Sequence, residues 1–230
     1  MIDKLPFTIN DQFKDSVVLI AGAGGTIGSG LVNSIKAKTI IAVDSSEYAI
    51  YKLQRTIGNR DIHCIVGDVS DPKICSMIFD KYDVDYIFNA AAYKHVDTLE
   101  DENNTYSVVK NNIMVTLNLC CYINRVQGFV HISSDKAVNP TNNMGYTKLW
   151  CEKIVQYCAQ ATSTPTKIVR FGNVYNSAGS FIETLQWQVA NGLPITITDE
   201  RMKRYFLTIN DAVMLINSVV DLDDFNATYI

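Results

Sequence analysis

The run His131-Ile132-Ser133-Ser134-Asp135-Lys136, followed by Met144 and Lys148, sets a hydroxyl, a carboxylate and an ammonium side by side. It lies at the end of a predicted apolar strand over residues 128–133. Open α/β sheets place their chemistry outside the carboxyl ends of their strands. An adjacent Asp and Lys there can serve as acid and base on one small substrate. An isolated Asp-Lys dipeptide would read as a solvated turn. The reading changes here because the same chain carries a cofactor fingerprint near its N-terminus.

Residues 17–20 read as a buried strand, an apolar run with β-branched side chains. The turn that follows contains Gly22, Gly24, Gly25, Thr26, Ile27 and Gly28, and helical spacing resumes with Leu31, Val32 and Ile35. Glycines at 22, 25 and 28 free the backbone to turn tightly and approach a pyrophosphate, whose charge then sits on a helix N-terminus. A second strand over 39–43 ends at Asp44, about twenty residues beyond the first glycine. A carboxylate at that place accepts hydrogen bonds from both ribose hydroxyls and repels a 2′-phosphate, which favours NAD over NADP.

Twenty Lys and Arg against 24 Asp and Glu give a net charge of −4. That argues against general nucleic-acid binding, which needs a basic surface, but leaves room for a phosphate ligand held by a few local cations. No apolar run reaches membrane-spanning length and no signal peptide precedes the first strand, so the expected compartment is the cytoplasm. The six cysteines (64, 75, 120, 121, 151 and 158) show no C-x-x-C pairing and no histidine cluster. They read as reduced core thiols, and no metal site is expected.

Strand and helix alternate from end to end. The expected fold is α/β, a Rossmann-like doubly wound parallel sheet with helices on both faces. Helices are predicted over 47–57, 72–79, 104–124, 145–161, 181–190 and after Asn210, and strands over 62–66, 86–89, 167–171 and 195–197. The third strand leads into Asp68 and Val69, candidates for cofactor contact. The fourth runs into Ala90, Ala91 and Ala92, whose small side chains permit close backbone approach to a ligand. Residues 1–13 read as a packed lead-in, 1–172 as the NAD-binding domain and 173–230 as a substrate-binding lobe. Residues 227–230 look like the start of a strand with nothing after it, so the lobe is expected to be incomplete.

With the glycine turn, Asp44 and the Ser-Asp-Lys cluster in place, the chain resembles the extended short-chain dehydrogenase/reductases. More narrowly, it is similar to the UDP-N-acetylglucosamine 4,6-dehydratases of polysaccharide biosynthesis. Segments 90–96, 134–142, 169–174 and 198–206 carry the resemblance. It implies NAD as cofactor, a UDP-sugar as substrate and a redox-neutral reaction. A hydride leaves sugar C4, the resulting ketone acidifies the C5 proton, water departs from C6, and the hydride returns to C6. The resemblance makes Asp135 the acid at the C6 hydroxyl, Lys136 the base at C5, and Ser134 a hydrogen-bond partner of the C4 oxygen. Lys148 would hold the nicotinamide ribose, and Asn112 would brace the active-site backbone. Lys94, Asn173 and Arg204 match substrate-binding positions. It also implies a homo-oligomer paired through the helices near 104–124 and 145–161.

One position departs from the superfamily. Tyr-x-x-x-Lys normally supplies a tyrosinate that takes the proton of the hydroxyl being oxidised, and Met144 stands there in this chain. A thioether cannot accept that proton, and one branch of these dehydratases shares the methionine. Met144 and Lys148 are four apart and share a helix face, whereas Tyr146 faces away from Lys148. The proton on O4 would then pass to Asp135, or to water through Ser134. His63, His95 and His131 read as structural. The rival readings are a 4-epimerase or 4-reductase of the same fold, which needs the missing tyrosine and has no use for Lys136, and a non-catalytic NAD-binding relative.

Overall fold

A computed structural model describes residues 11–177, 179–197, 199–222 and 224–230. The expected lead-in falls outside these as far as residue 10, as does Thr198 of the segment 198–206. The sheet strands are β1 (Val17–Ala21), β2 (Thr39–Asp44), β3 (Ile62–Val66), β4 (Tyr86–Asn89), β5 (Gly128–Ser134) and β6 (Thr166–Phe171). A two-stranded ribbon joins β7 (Asn173–Val174) to β8 (Phe206–Leu207), and β9 (Ala227–Tyr229) ends the chain. The helices are α1 (Thr26–Ser34), α2 (Glu47–Gln54), α3 (Pro72–Lys81), α4 (Val96–Leu99), α5 (Thr105–Val108), α6 (Val115–Cys120), α7 (Asn143–Thr162), α8 (Phe181–Ala190) and α9 (Ile209–Ser218).

Seven parallel strands run in the order β3-β2-β1-β4-β5-β6-β9. Alternation along each strand builds two cores, because successive side chains point to opposite faces. Leu19, Ile41, Ile87, Phe129 and Ile168 face one way, onto Ile78 and Phe79 of α3, Leu119 of α6 and Val155 of α7. Val18, Ile20, Ile40, Phe88, Val130 and Val169 face the other, onto Leu31 and Val32 of α1, Leu53 of α2 and Val213 and Ile216 of α9. Both faces are covered, which is why the strands read as near-continuous apolar runs rather than as alternating ones.

Helix ends follow local chemistry. Ser46, Asp71, Asn142 and Ser180 each accept a backbone N–H as N-caps of α2, α3, α7 and α8. Thr208 and Asp211 form a reciprocal capping box at α9. Ser163, left-handed at φ 58°, ends α7.

Two expectations are corrected. The helix expected over 104–124 is π-helical over Val109–Met114 and closes at Cys120, with a separate 3₁₀ turn at Ile123–Arg125. Widening the turn there leaves the Asn112 carbonyl free to accept from the Thr116 hydroxyl at 3.0 Å and the Cys151 thiol at 3.1 Å. Residues 195–197 form no strand: Ile195 and Ile197 are exposed, and Thr196 is tied to Gln188. Residues 209–230 pack onto the main body. There α9 joins the core over α1, and β9 pairs with β6 through Lys167↔Ala227, Ile168↔Thr228 and Val169↔Tyr229. Lys167 fixes this return by donating from Nζ to the carbonyls of Leu222 and Asp224.

If α9 is integral to the sheet body, Ile216→Ala should lower global stability by about 2–5 kcal/mol. Denaturant unfolding followed by circular dichroism checks this. A separable 173–230 lobe would instead give an early, minor transition and leave the main one in place.

Candidate active site

The order of the sheet reverses between β1 and β4, and the crevice outside their carboxyl ends is where such folds bind ligands. Gly22 makes the turn out of β1 at φ +75°, and a Cβ there would lie 2.7 Å from the backbone of Ala91. Gly28 lies so close beneath it that a Cβ would meet the Gly22 carbonyl oxygen at 2.0 Å. No side chain caps α1 at Gly25, so the positive end of its dipole is presented to the turn. Ile27 turns its side chain into the core, leaving only its backbone toward the crevice.

Asp44, at the end of β2, is held in place by its surroundings. Its carboxylate accepts from the Gly24 N–H at 2.9 Å and the Ser46 N–H at 2.9 Å. Two steps along, Asp68 accepts from the Ser70 N–H at 2.9 Å and faces Lys110 at 3.5 Å, while Val69 is buried in the core. The Ala90 N–H binds the Ala21 carbonyl at 2.9 Å, which draws the alanine run against the glycine turn.

Across the crevice, β5 ends at Ser134 and a 3₁₀ turn follows over Asp135–Ala137. One oxygen of Asp135, Oδ1, accepts from the Ser134 hydroxyl at 2.9 Å and from the Lys136 ammonium at 3.0 Å. Lys136 also donates to Asn173 Oδ1 at 3.3 Å, which brings the residue after β6 into the cluster. All of these groups are partly open to solvent. A carboxyl, an amine and a hydroxyl in mutual contact can exchange protons with one bound substrate.

α7 supplies the floor. Lys148 is buried, and its Nζ donates to the Ile132 carbonyl at 2.8 Å. Burial pulls its ammonium below the usual lysine range, against Cys151 and Glu152, which favour the charged form. Met144 is buried on the same face among Leu99, Val108 and Val96, whereas Tyr146 is half exposed. Among the described residues, the tyrosine position is therefore occupied by a thioether in an apolar nest.

Several residues behind the site have no counterpart in the sequence-based set. Glu152 is 1% exposed, and it accepts from the Ser133 hydroxyl and from Arg170 at 2.8 and 2.5 Å. A charged Arg170 directly after the apolar pair Ile168-Val169, and an acid four residues after Lys148, were the available signals. Asn112 accepts from the Tyr93 N–H at 2.7 Å and donates to the Tyr93 carbonyl at 3.2 Å and to Thr147 at 3.0 Å, so it does brace the loop after β4. His131 is buried beside Asn89, and burial, helped by Lys148, pushes its pKa well below the usual range, keeping it neutral.

The substrate-side residues divide. Asn173 joins the cluster, and Lys94 is exposed on the loop after β4. Arg204 is not brought to it: its guanidinium is exposed and donates to its neighbour's carbonyl at Lys203. A groove of about 1230 Å³ runs between α1, α2 and α9 and reaches Gly24–Thr26, but none of Ser134, Asp135 or Lys136 lines it. We assign the chemistry to the crevice rather than the groove, because the titratable groups converge there.

The model of a family described as polysaccharide biosynthesis protein matches residues 18–230. The chain belongs to that family. Among its relatives, the probable polysaccharide biosynthesis protein EpsC of Bacillus subtilis is 38% identical over 90% of this chain and 36% of its own length. A UDP-N-acetylglucosamine 4,6-dehydratase (inverting) of Campylobacter jejuni is 31% identical over 90% of the chain and 64% of its own. Rickettsial relatives of comparable similarity bear the name UDP-glucose 4-epimerase. The solved structure of Pen from Bacillus thuringiensis superposes with a TM-score of 0.86 at 34% identity, over 94% of this chain and 69% of that one. The chain spans 36–64% of the length of the curated relatives quoted. Among its described residues, no helix is long and apolar enough to cross a membrane.

If Asn112 is the brace of the loop after β4, Asn112→Ala should cost about 1–3 kcal/mol, the penalty for stranding buried partners. Native-state hydrogen exchange should show the Tyr93 amide losing protection well beyond that global change.

Proposed function

We propose that the chain binds NAD and dehydrates a UDP-N-acetylhexosamine, UDP-N-acetylglucosamine first among them, to the 4-keto-6-deoxy sugar in the making of a surface polysaccharide or glycan. The reading places the reaction in the cytoplasm. The observation that carries it is the sharing of Asp135 Oδ1 by Ser134 and Lys136 beside a site whose tyrosine position holds Met144. The crevice suits a dinucleotide: a glycine turn with no side-chain cap, a carboxylate at Asp44 held beside that turn by the Gly24 N–H, and a buried ammonium at Lys148. The backbone at Gly22, Gly24, Gly25, Thr26, Ile27 and Gly28 would take the pyrophosphate, Asp68 and Val69 the adenine side, and Ala90, Ala91 and Ala92 the flank. When bound, NAD supplies the hydride acceptor for C4 and the donor for C6.

The chain's own residues move the protons. Asp135 in its acid form protonates the departing C6 hydroxyl, and Lys136 in its free-base form removes the C5 proton. Asp135 owes its acid proton to O4, received through Ser134, and Lys136, protonated from C5, returns a solvent-exchangeable proton to C5 as the hydride reaches C6. Ser134 hydrogen-bonds the C4 oxygen and passes its proton toward Asp135, the role tyrosine has lost. Lys94, Asn173 and Arg204 would hold the UDP-sugar, Arg204 only after moving from its present position.

A second reading, 4-epimerase, is favoured by the names of the rickettsial relatives. It gives Lys136 nothing to do and needs a base at Met144, so we rank it second. Pairing with a second copy is part of the proposal, since α7 exposes Trp150 and Tyr157, α5 exposes Tyr106 and the π segment exposes Met114.

Incubating the chain with UDP-N-acetylglucosamine in D₂O and following it by proton NMR and mass spectrometry tests this directly. Loss of one water with deuterium at C5 is expected, while a 4-epimer with no water lost would establish the rival. Asp135→Asn should then lower kcat by about 10²–10⁴-fold, the usual worth of a positioned acid. NAD binding, read by thermal shift, should persist in that variant.

A further inference from the structure

We propose that Glu152 and Arg170 form a positioning pair that sets both the placement and the charge of Lys148, and so the grip on the cofactor's nicotinamide ribose. The inference rests on the reading of Lys148 as the residue that holds that ribose.

Three segments meet at the Glu152 carboxylate. The Ser133 hydroxyl reaches it from the end of β5, one residue before Ser134. The Arg170 Nε and a terminal nitrogen reach its two oxygens at 2.8 and 2.5 Å from the end of β6, three residues before Asn173. Glu152 itself stands one helical turn after Lys148 on α7, and both side chains are buried. The fork geometry of the guanidinium fixes direction as well as distance. The carboxylate therefore ties together the three segments that carry Ser134, Asn173 and Lys148.

Charge makes this more than packing. Lys148 is shut away from water, and its ammonium has one described hydrogen bond, to the Ile132 carbonyl. The titratable groups acting on it are His131 on β5, which is neutral, and Cys151 and Glu152 on its own helix, with Arg170 on β6 behind Glu152. Asp135 and Lys136 lie at the end of β5 and offset each other at 3.0 Å. Glu152 is thus the nearby negative charge that favours a protonated Lys148, and Arg170 moderates it. Removing Glu152 alone leaves an extra positive charge beside Lys148, which should lose its proton at lower pH. Removing Arg170 alone leaves an extra negative charge, with the opposite effect.

The experiment is NADH titration by fluorescence from pH about 7 to about 10, the range in which a depressed lysine titrates. It compares the unaltered chain with Glu152→Gln, Arg170→Gln, the double variant, Arg170→Lys and Lys148→Met. Affinity of the unaltered chain should fall on the alkaline side, and Lys148→Met should remove that fall. The midpoint should move down in Glu152→Gln and up in Arg170→Gln, by on the order of one pH unit. It should return near its original place in the double variant and stay there in Arg170→Lys. Weaker binding in both single variants with an unmoved midpoint would reduce the pair to a structural brace and overturn the proposal. An alkaline fall that survives Lys148→Met would sink the reading of Lys148 itself, a separate failure. If Glu152→Gln does not fold, Arg170→Gln against the charge-neutral double variant still reads the sign.

Discussion

Parallel register governs everything else in this molecule. Because all seven strands run one way, every strand exit lies on one edge of the sheet, and every chemically rich loop of the main body is gathered there. Right-handed crossovers then put α1 and α2 on one face and α3, α6 and α7 on the other. Where the order turns between β1 and β4, the connections part in opposite directions and a crevice opens. The glycine turn and Asp44 stand on one side of it, and Ser134, Asp135 and Lys136 on the other. The glycine turn can lie this close to the Ala91 backbone and to α1 only because Gly22 and Gly28 carry no Cβ. A methyl group at either would push α1 or the Ala91 backbone away and widen the crevice.

Much of this could be read in the chain, for reasons that also explain the failures. Strands β1, β2, β4, β5 and β6 are largely buried on both faces, so apolar runs bounded by Gly, Asp or Asn announced them within a residue or two. The glycine turn carried its signal in residue type, and the Ser-Asp-Lys cluster in contiguity. The errors fall where the answer depends on partners far away in sequence. Residues 195–197 alternate as a strand should but have no strand to pair with among the described residues, while Ala227–Tyr229 find one in β6, about sixty residues earlier. The π segment at Val109–Met114 cannot be seen in apolar spacing, because what selects it is the demand of Thr116 and Cys151 for the Asn112 carbonyl. Arg204 sits in a motif-like segment, yet its guanidinium turns to the nearest carbonyl.

The polar layer behind the site was the least legible part and raises an energetic question. Burying Glu152 and Arg170 costs several kcal/mol of desolvation per ion, roughly what their contact returns, and well-packed apolar pairs are often as stable. Stability alone does not explain an ion pair where Val or Leu would hold β5, β6 and α7 together. An apolar replacement would, however, leave Lys148 as a lone buried cation with only a carbonyl for company. In a low-dielectric interior such an amine tends to shed its proton. A buried carboxylate one turn away opposes that, and a guanidinium behind it keeps the carboxylate aimed. The methionine at 144 sharpens the need. With no phenol on that face of α7, Lys148 is the polar group that the helix presents beside it, and its charge cannot be borrowed from a tyrosinate partner.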